Sequence, residues 1–116
     1  MPCPHRSLLI WLAILVAAGL PAAAADIDMA KLDGLRSATA EAAAIEAAQA
    51  RGQVTERYAD GVRADLRHDL RKFLAEPALG PIADEVLMAL DRRDVPALTR
   101  SRDRLVAMEK AHGRAG

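Results

Sequence analysis

Four stretches of this chain, divided at Gly52, Pro77 and the Asp94–Pro96 turn, carry their apolar side chains at spacings of three and four residues. No stretch shows the period-two alternation of β-branched residues that a half-buried strand needs. Alanine, leucine, arginine and glutamate dominate, and these are the better helix formers. Such a pattern leaves little choice. The expected fold is all-α, a small antiparallel bundle of three to four helices joined by short turns.

The first helix is expected from about Asp28 to Arg51. Leu32, Leu35, Ala38, Ala42, Ile45 and Gln49 share one stripe. Gly34 weakens its first turns by ~1 kcal/mol relative to alanine. From Ser37 to Ala50 it is nearly all alanine, with Glu41 and Glu46 as the charges. Apolar burial is worth ~25 cal/mol per Å², so an alanine contributes far less than a leucine. The expectation is a helix that forms readily but docks weakly on its own chain. That leaves Leu32, Leu35, Ala42 and Ile45 as a stripe to contact a partner.

Gly52 is a candidate left-handed residue closing the first helix. Thr55 is a candidate N-cap for a second helix, with Glu56 in its first turn. This helix should run to about Ala75, before Pro77, with Tyr58, Val62, Leu66, Leu70, Phe73 and Leu74 as its apolar face. The third helix should carry Pro81 in its first turn, where Asp84 and Glu85 complement the helix dipole. Its buried face reads as Leu79, Ile82, Ala83, Val86, Leu87 and Leu90. The fourth should begin at Asp94 and Pro96, bury Leu98, Leu105, Val106 and Met108, and close at Gly113. "PALGPIADEVLMAL" and "PALTRSRDRLVAME" echo one another, as two helices opened in the same way. Net charge alternates along the four segments from acidic to basic, which suits antiparallel neighbours.

The segment before Asp26 reads differently. "MPCPHRS" is a short cationic start, "LLIWLAILVAAGL" an unbroken apolar run, and "AAAA" offers small residues to a peptidase. That is a secretory signal, with cleavage expected after Ala24 or Ala25. Residues 1–25 are then a signal peptide and 26–116 a single small helical domain. The apolar run is short of the ~20 residues a membrane span needs, so no stable membrane insertion is expected after cleavage. Cys3 leaves with the signal, so the exported part has no cysteine and no disulfide or thiolate chemistry. A cysteine-free exported chain points to a periplasmic or secreted location.

Composition also excludes functions. After cleavage Tyr58 and Phe73 are the remaining aromatics, too few for base stacking. The formal net charge of the whole chain is +0. Neither fact fits a nucleic-acid binder. There is no phosphate-binding glycine loop, no His-Glu-x-x-His and no nucleophile elbow. No catalytic residue and no cofactor is therefore expected.

Three sets of residues remain as candidates. Glu109 and His112, in "MEKAH", form a Glu-x-x-His pair of the kind that holds metal inside helical bundles. Asp65 and His68 have the same spacing, but the 100° turn per residue places His68 on the side of its helix facing water. Arg63, Arg67 and Arg71 lie at spacings of four and read as a basic ridge along the second helix; Arg100 and Arg104 repeat this on the fourth. Such a ridge suits an acidic partner or anionic lipid heads.

"LDGLR", Leu32 to Arg36, is similar to the start of the helical chorismate mutases, some of which are exported. The likeness covers those five residues. The family's later arginine, lysine and glutamate spacing is not recovered: Arg51 is displaced, and "AEAAAIEAA" replaces its leucine-rich stretch. The resemblance therefore assigns no site residue here. The functional expectation is a small exported helical protein working through protein–protein contact, with a homodimer as one form. A metal-responsive protein using Glu109 and His112 is the alternative, and a small helical enzyme comes third.

Overall fold

The computed structural model describes residues 27–115, with side chains to Gly113; the expected signal peptide lies outside the described residues. The chain forms four helices: α1 (Met29–Ala50), α2 (Glu56–Arg71), α3 (Gly80–Asp91) and α4 (Val95–Ala115). No strand occurs among the described residues.

Helix ends follow local chemistry. Asp28 accepts a hydrogen bond from the Ala30 N–H and opens α1, and Thr55 accepts one from Tyr58 and opens α2. Asp94 does the same for Ala97 at the start of α4. Gly52, at φ 71°, closes α1: its N–H donates to Gln49 and the Gln53 N–H donates to Ala48, the paired bonds of a Schellman motif. The same two bonds recur after α3, from Arg93 to Leu90 and from Asp94 to Ala89. There the left-handed position, φ 54°, is held by Arg93 and not by glycine.

α2 stops at Arg71, short of the expected Ala75. Pro77 disfavours helical geometry in the residue before it. Lys72, Phe73 and Leu74 instead donate three residues back, to Asp69, Leu70 and Arg71, tightening the chain into successive turns. The two Pro-Ala-Leu segments also differ. The first precedes α3, while the second lies inside the first turn of α4. Both leucines are buried, which is what the echo preserves.

α1 lies against α2 with Glu46 beside Arg63 and Gly34 beside Phe73, so the two run antiparallel. α2 and α3 are likewise antiparallel, with Arg67 paired to Asp91 and Gly80 against Leu74. α4 returns along α3 and makes its most extensive contact with α1. The result is a ring of four helices in which α1 also touches α3.

One core fills this bundle. Leu32, Leu35, Ala42, Ala43 and Ile45 from α1 meet Ala59, Leu66 and Leu70 from α2, Ile82, Ala83, Val86, Ala89 and Leu90 from α3, and Leu98 and Leu105 from α4. The weak docking expected of α1 is not what forms. Its alanines let neighbouring backbones approach closely, and its three leucine and isoleucine side chains then reach the middle of the bundle. Thr39, also buried, satisfies its hydroxyl on the Leu35 carbonyl at 2.7 Å. Among the described helices none is long and apolar enough to cross a membrane.

Candidate functional site

The stripe expected to contact a partner is the core itself. Leu32, Leu35 and Ala42 have no exposed surface and Ile45 is 8% exposed. A partner cannot reach these residues without opening the bundle.

The basic ridge on α2 is also redistributed. Arg63 is buried, its side chain only 2% exposed, like that of Glu46 opposite it. The guanidinium grips the carboxylate at two points, Nε to Oε2 and Nη2 to Oε1, the latter at 2.9 Å. Nη1 donates to Asp60 at 2.7 Å. These carboxylate hydrogen bonds, Glu46's above all, hold the guanidinium above its ordinary value against the pull of burial. Arg67 is tied to Asp91 at 2.8 Å. Of the three, Arg71 alone stays exposed with no ion-pair partner among the described residues.

Arg63–Glu46 belongs to a larger scheme. Every pair of neighbouring helices around the ring is bridged by one arginine and one carboxylate. α1 and α2 share Glu46–Arg63, and α2 and α3 share Arg67–Asp91. α3 and α4 share Glu85–Arg104 at 3.6 Å, and α4 returns to α1 through Glu109–Arg36. Three bridges follow the acidic–basic alternation of the segments; the last reverses it, with the arginine on α1. A buried bridge of this kind costs more to break than it adds over well-packed apolar side chains, and the exposed ones contribute ~0–1 kcal/mol each.

That last bridge gives Glu109 a partner other than a metal. Its Oε1 accepts from Arg36, which also donates to Asp33 at 2.6 Å. These carboxylates, Asp33 first, raise the Arg36 guanidinium above its ordinary value. The His112 Nδ1 lies 2.9 Å from the Met108 carbonyl. Among the described residues no group of three histidine, cysteine or carboxylate side chains is placed to hold a metal ion. His68 and Asp65 face solvent, as the helical geometry of α2 requires.

The surface between α3 and α4 offers a different kind of place. One open recess is lined by Glu85, Ala97, Arg100, Ser101 and Arg104. A second is lined by Glu85, Met88, Ala89, Arg92, Asp94 and Ala97. Sharing Glu85 and Ala97, they form one groove. Its walls are two regular stripes: Glu85, Met88 and Ala89 on α3 with Arg92 capping its end, and Ala97, Arg100, Ser101 and Arg104 on α4. Each runs at i, i+3, i+4 and i+7, the spacing of one helix face. Ala89, Ala97 and Ser101 are small and leave the surface concave, with Arg92, Arg100 and Arg104 beside them.

The sequence reading found Arg100 and Arg104 but missed the groove. Its α3 wall was legible only as the outer side of an amphipathic helix. Comparison with family models, curated proteins and solved structures gives no match to this chain.

Proposed function

We propose that this chain is an exported helical protein that works by protein–protein contact, and that its contact surface is not α1. The observation that carries the reading is the division of labour on the molecule. The apolar side chains of α1 are consumed by the core, while Met88 stays 46% exposed within a concave, arginine-flanked groove. An exposed large apolar side chain among fixed charges is how contact surfaces are commonly built.

Site-specific photo-crosslinking tests the reading. A photoreactive residue is placed in turn at Ala44, Ala64, Met88 and Ala107, one on each helix's exposed side, in cells that make the protein. A discrete protein adduct from at least one position is expected. No adduct from any face would remove protein contact as the function.

A further inference from the structure

The α3–α4 groove has a charge pattern that specifies its occupant. Arg92 and Arg100 form no ion pair among the described residues. Arg104 sits 3.6 Å from Glu85, beyond a good hydrogen bond. The other carboxylate in the groove, on Asp94, accepts the Ala97 N–H at 3.1 Å and keeps its charge. Three guanidiniums therefore face the groove against two carboxylates, an excess of one positive charge. Between them lie Ala89, Ala97 and Ser101, which leave room, and Met88, a flexible and polarizable apolar contact.

Resting on the protein-contact reading above, we infer that this groove binds a short acidic peptide segment of another protein. Carboxylates of that segment pair with Arg92, Arg100 and Arg104, and one aliphatic side chain packs on Met88. Arginine is suited to this, since its planar fork accepts a carboxylate bidentately. Seven residues separate the ends of each wall, a rise of ~10 Å. The groove therefore accommodates about two turns of helix, in the manner of a helix laid in a groove between two others.

The shape argues against other anionic partners. A lipid surface is flat and meets convex, broadly apolar helix faces, whereas these guanidiniums flank a concavity. The outer side of α2 is the natural comparison. It exposes Arg57, His68 and Arg71, but Asp65 and the Asp69–Lys72 pair are interleaved with them.

The test uses nitrogen-15-labelled Asp26–Gly116, which contains every described helix. It is titrated with the synthetic peptide Glu-Leu-Glu-Glu-Leu-Leu-Glu-Glu-Leu and, separately, with phosphatidylglycerol vesicles. The expected result is amide shift changes confined to Glu85–Arg104. Apparent affinity should fall at least tenfold in Arg92→Glu/Arg100→Glu and should fall with added salt. Arg57→Glu/Arg71→Glu should bind the peptide as the parent does. Several outcomes overturn the inference: no shifts at millimolar peptide, shifts centred on α2, equal binding by both charge-reversed variants, or binding to vesicles but not to peptide. If the peptide fails while cross-links form from Ala44, Ala64 or Ala107, the groove is wrong and the protein-contact reading stands. If both fail, both fall.

Discussion

Replacing Glu46 by leucine asks how much of this small bundle rests on one buried ion pair. In the native fold the Arg63 guanidinium has 2% of its side-chain surface in water, and Glu46 supplies two of its three hydrogen-bonding contacts. Glu46→Leu would leave Arg63 with Asp60 alone, whose side chain is 58% exposed. Breaking a buried pair in this way destabilises a protein by ~3–5 kcal/mol, because a charge stays buried without its partner. A domain of this size has ~5–13 kcal/mol in all, so the variant should be close to half unfolded in mild urea.

Converted at ~4–8 °C per kcal/mol, the fall in Tm is at least about 12 °C. The companion variant carries Glu46→Leu together with Arg63→Met. It removes both charges, and it should recover to within ~1 kcal/mol of the parent or exceed it. Urea unfolding followed by circular dichroism measures all three proteins. A loss under ~1 kcal/mol in the single variant would refute the reasoning. So would a double variant as unstable as the single one.

Other expectations follow from particular positions. Arg93→Gly should stabilise the protein by ~0.5–1 kcal/mol in urea unfolding, since φ 54° strains an arginine and its ion pairs with Glu56 and Asp60 are long, at 3.9 Å. Gly80→Ala should destabilise by ~1–3 kcal/mol despite alanine's better helix propensity, because its Cβ would meet the Leu74 carbonyl oxygen at 2.5 Å; equal or greater stability would contradict the packing. Ile45→Asp should abolish cooperative thermal unfolding, as it buries a charge without a partner where the side chain is 8% exposed. Lys31 is held above its ordinary 10.5 by the hydrogen bond and charge of Glu76. Its contribution is complete below that value and lost as pH rises through the folded-state value, so the Tm gap between parent and Glu76→Gln should close at strongly alkaline pH.

Much of the fold was legible because helix ends are local chemistry. Asp28, Gly52, Thr55 and Asp94 each act within four residues of themselves, and each occupies the place its residue type implies. The inward face of α3 was equally plain, since Ile82, Ala83, Val86 and Leu90 are apolar and buried.

The face of α2 was not. Apolar periodicity assigned Tyr58 and Leu74 to the core and Arg63 to water; Tyr58 is 60% exposed, Leu74 is exposed, and Arg63 is buried. An arginine goes inside only when a carboxylate on another element offsets its desolvation. That carboxylate, Glu46, lies 17 positions away in sequence. The signal was nevertheless present: Arg63 keeps a helical register with Ala59, Leu66 and Leu70, and Glu46 adjoins Ile45 on the inner side of α1. The α3–α4 groove escaped notice for a related reason. Each wall alone is an ordinary polar stripe, and concavity arises only when two such stripes are set side by side.

The most direct measurement of the central claim is the cross-link from Met88 in cells, taken with and without Arg92→Glu/Arg100→Glu. Both versions should first be shown to have the same Tm, since these arginines are exposed and make no internal ion pair among the described residues. The account predicts a protein adduct from Met88 that disappears on charge reversal. An adduct that persists unchanged, or adducts that arise only from α1 or α2, would contradict it.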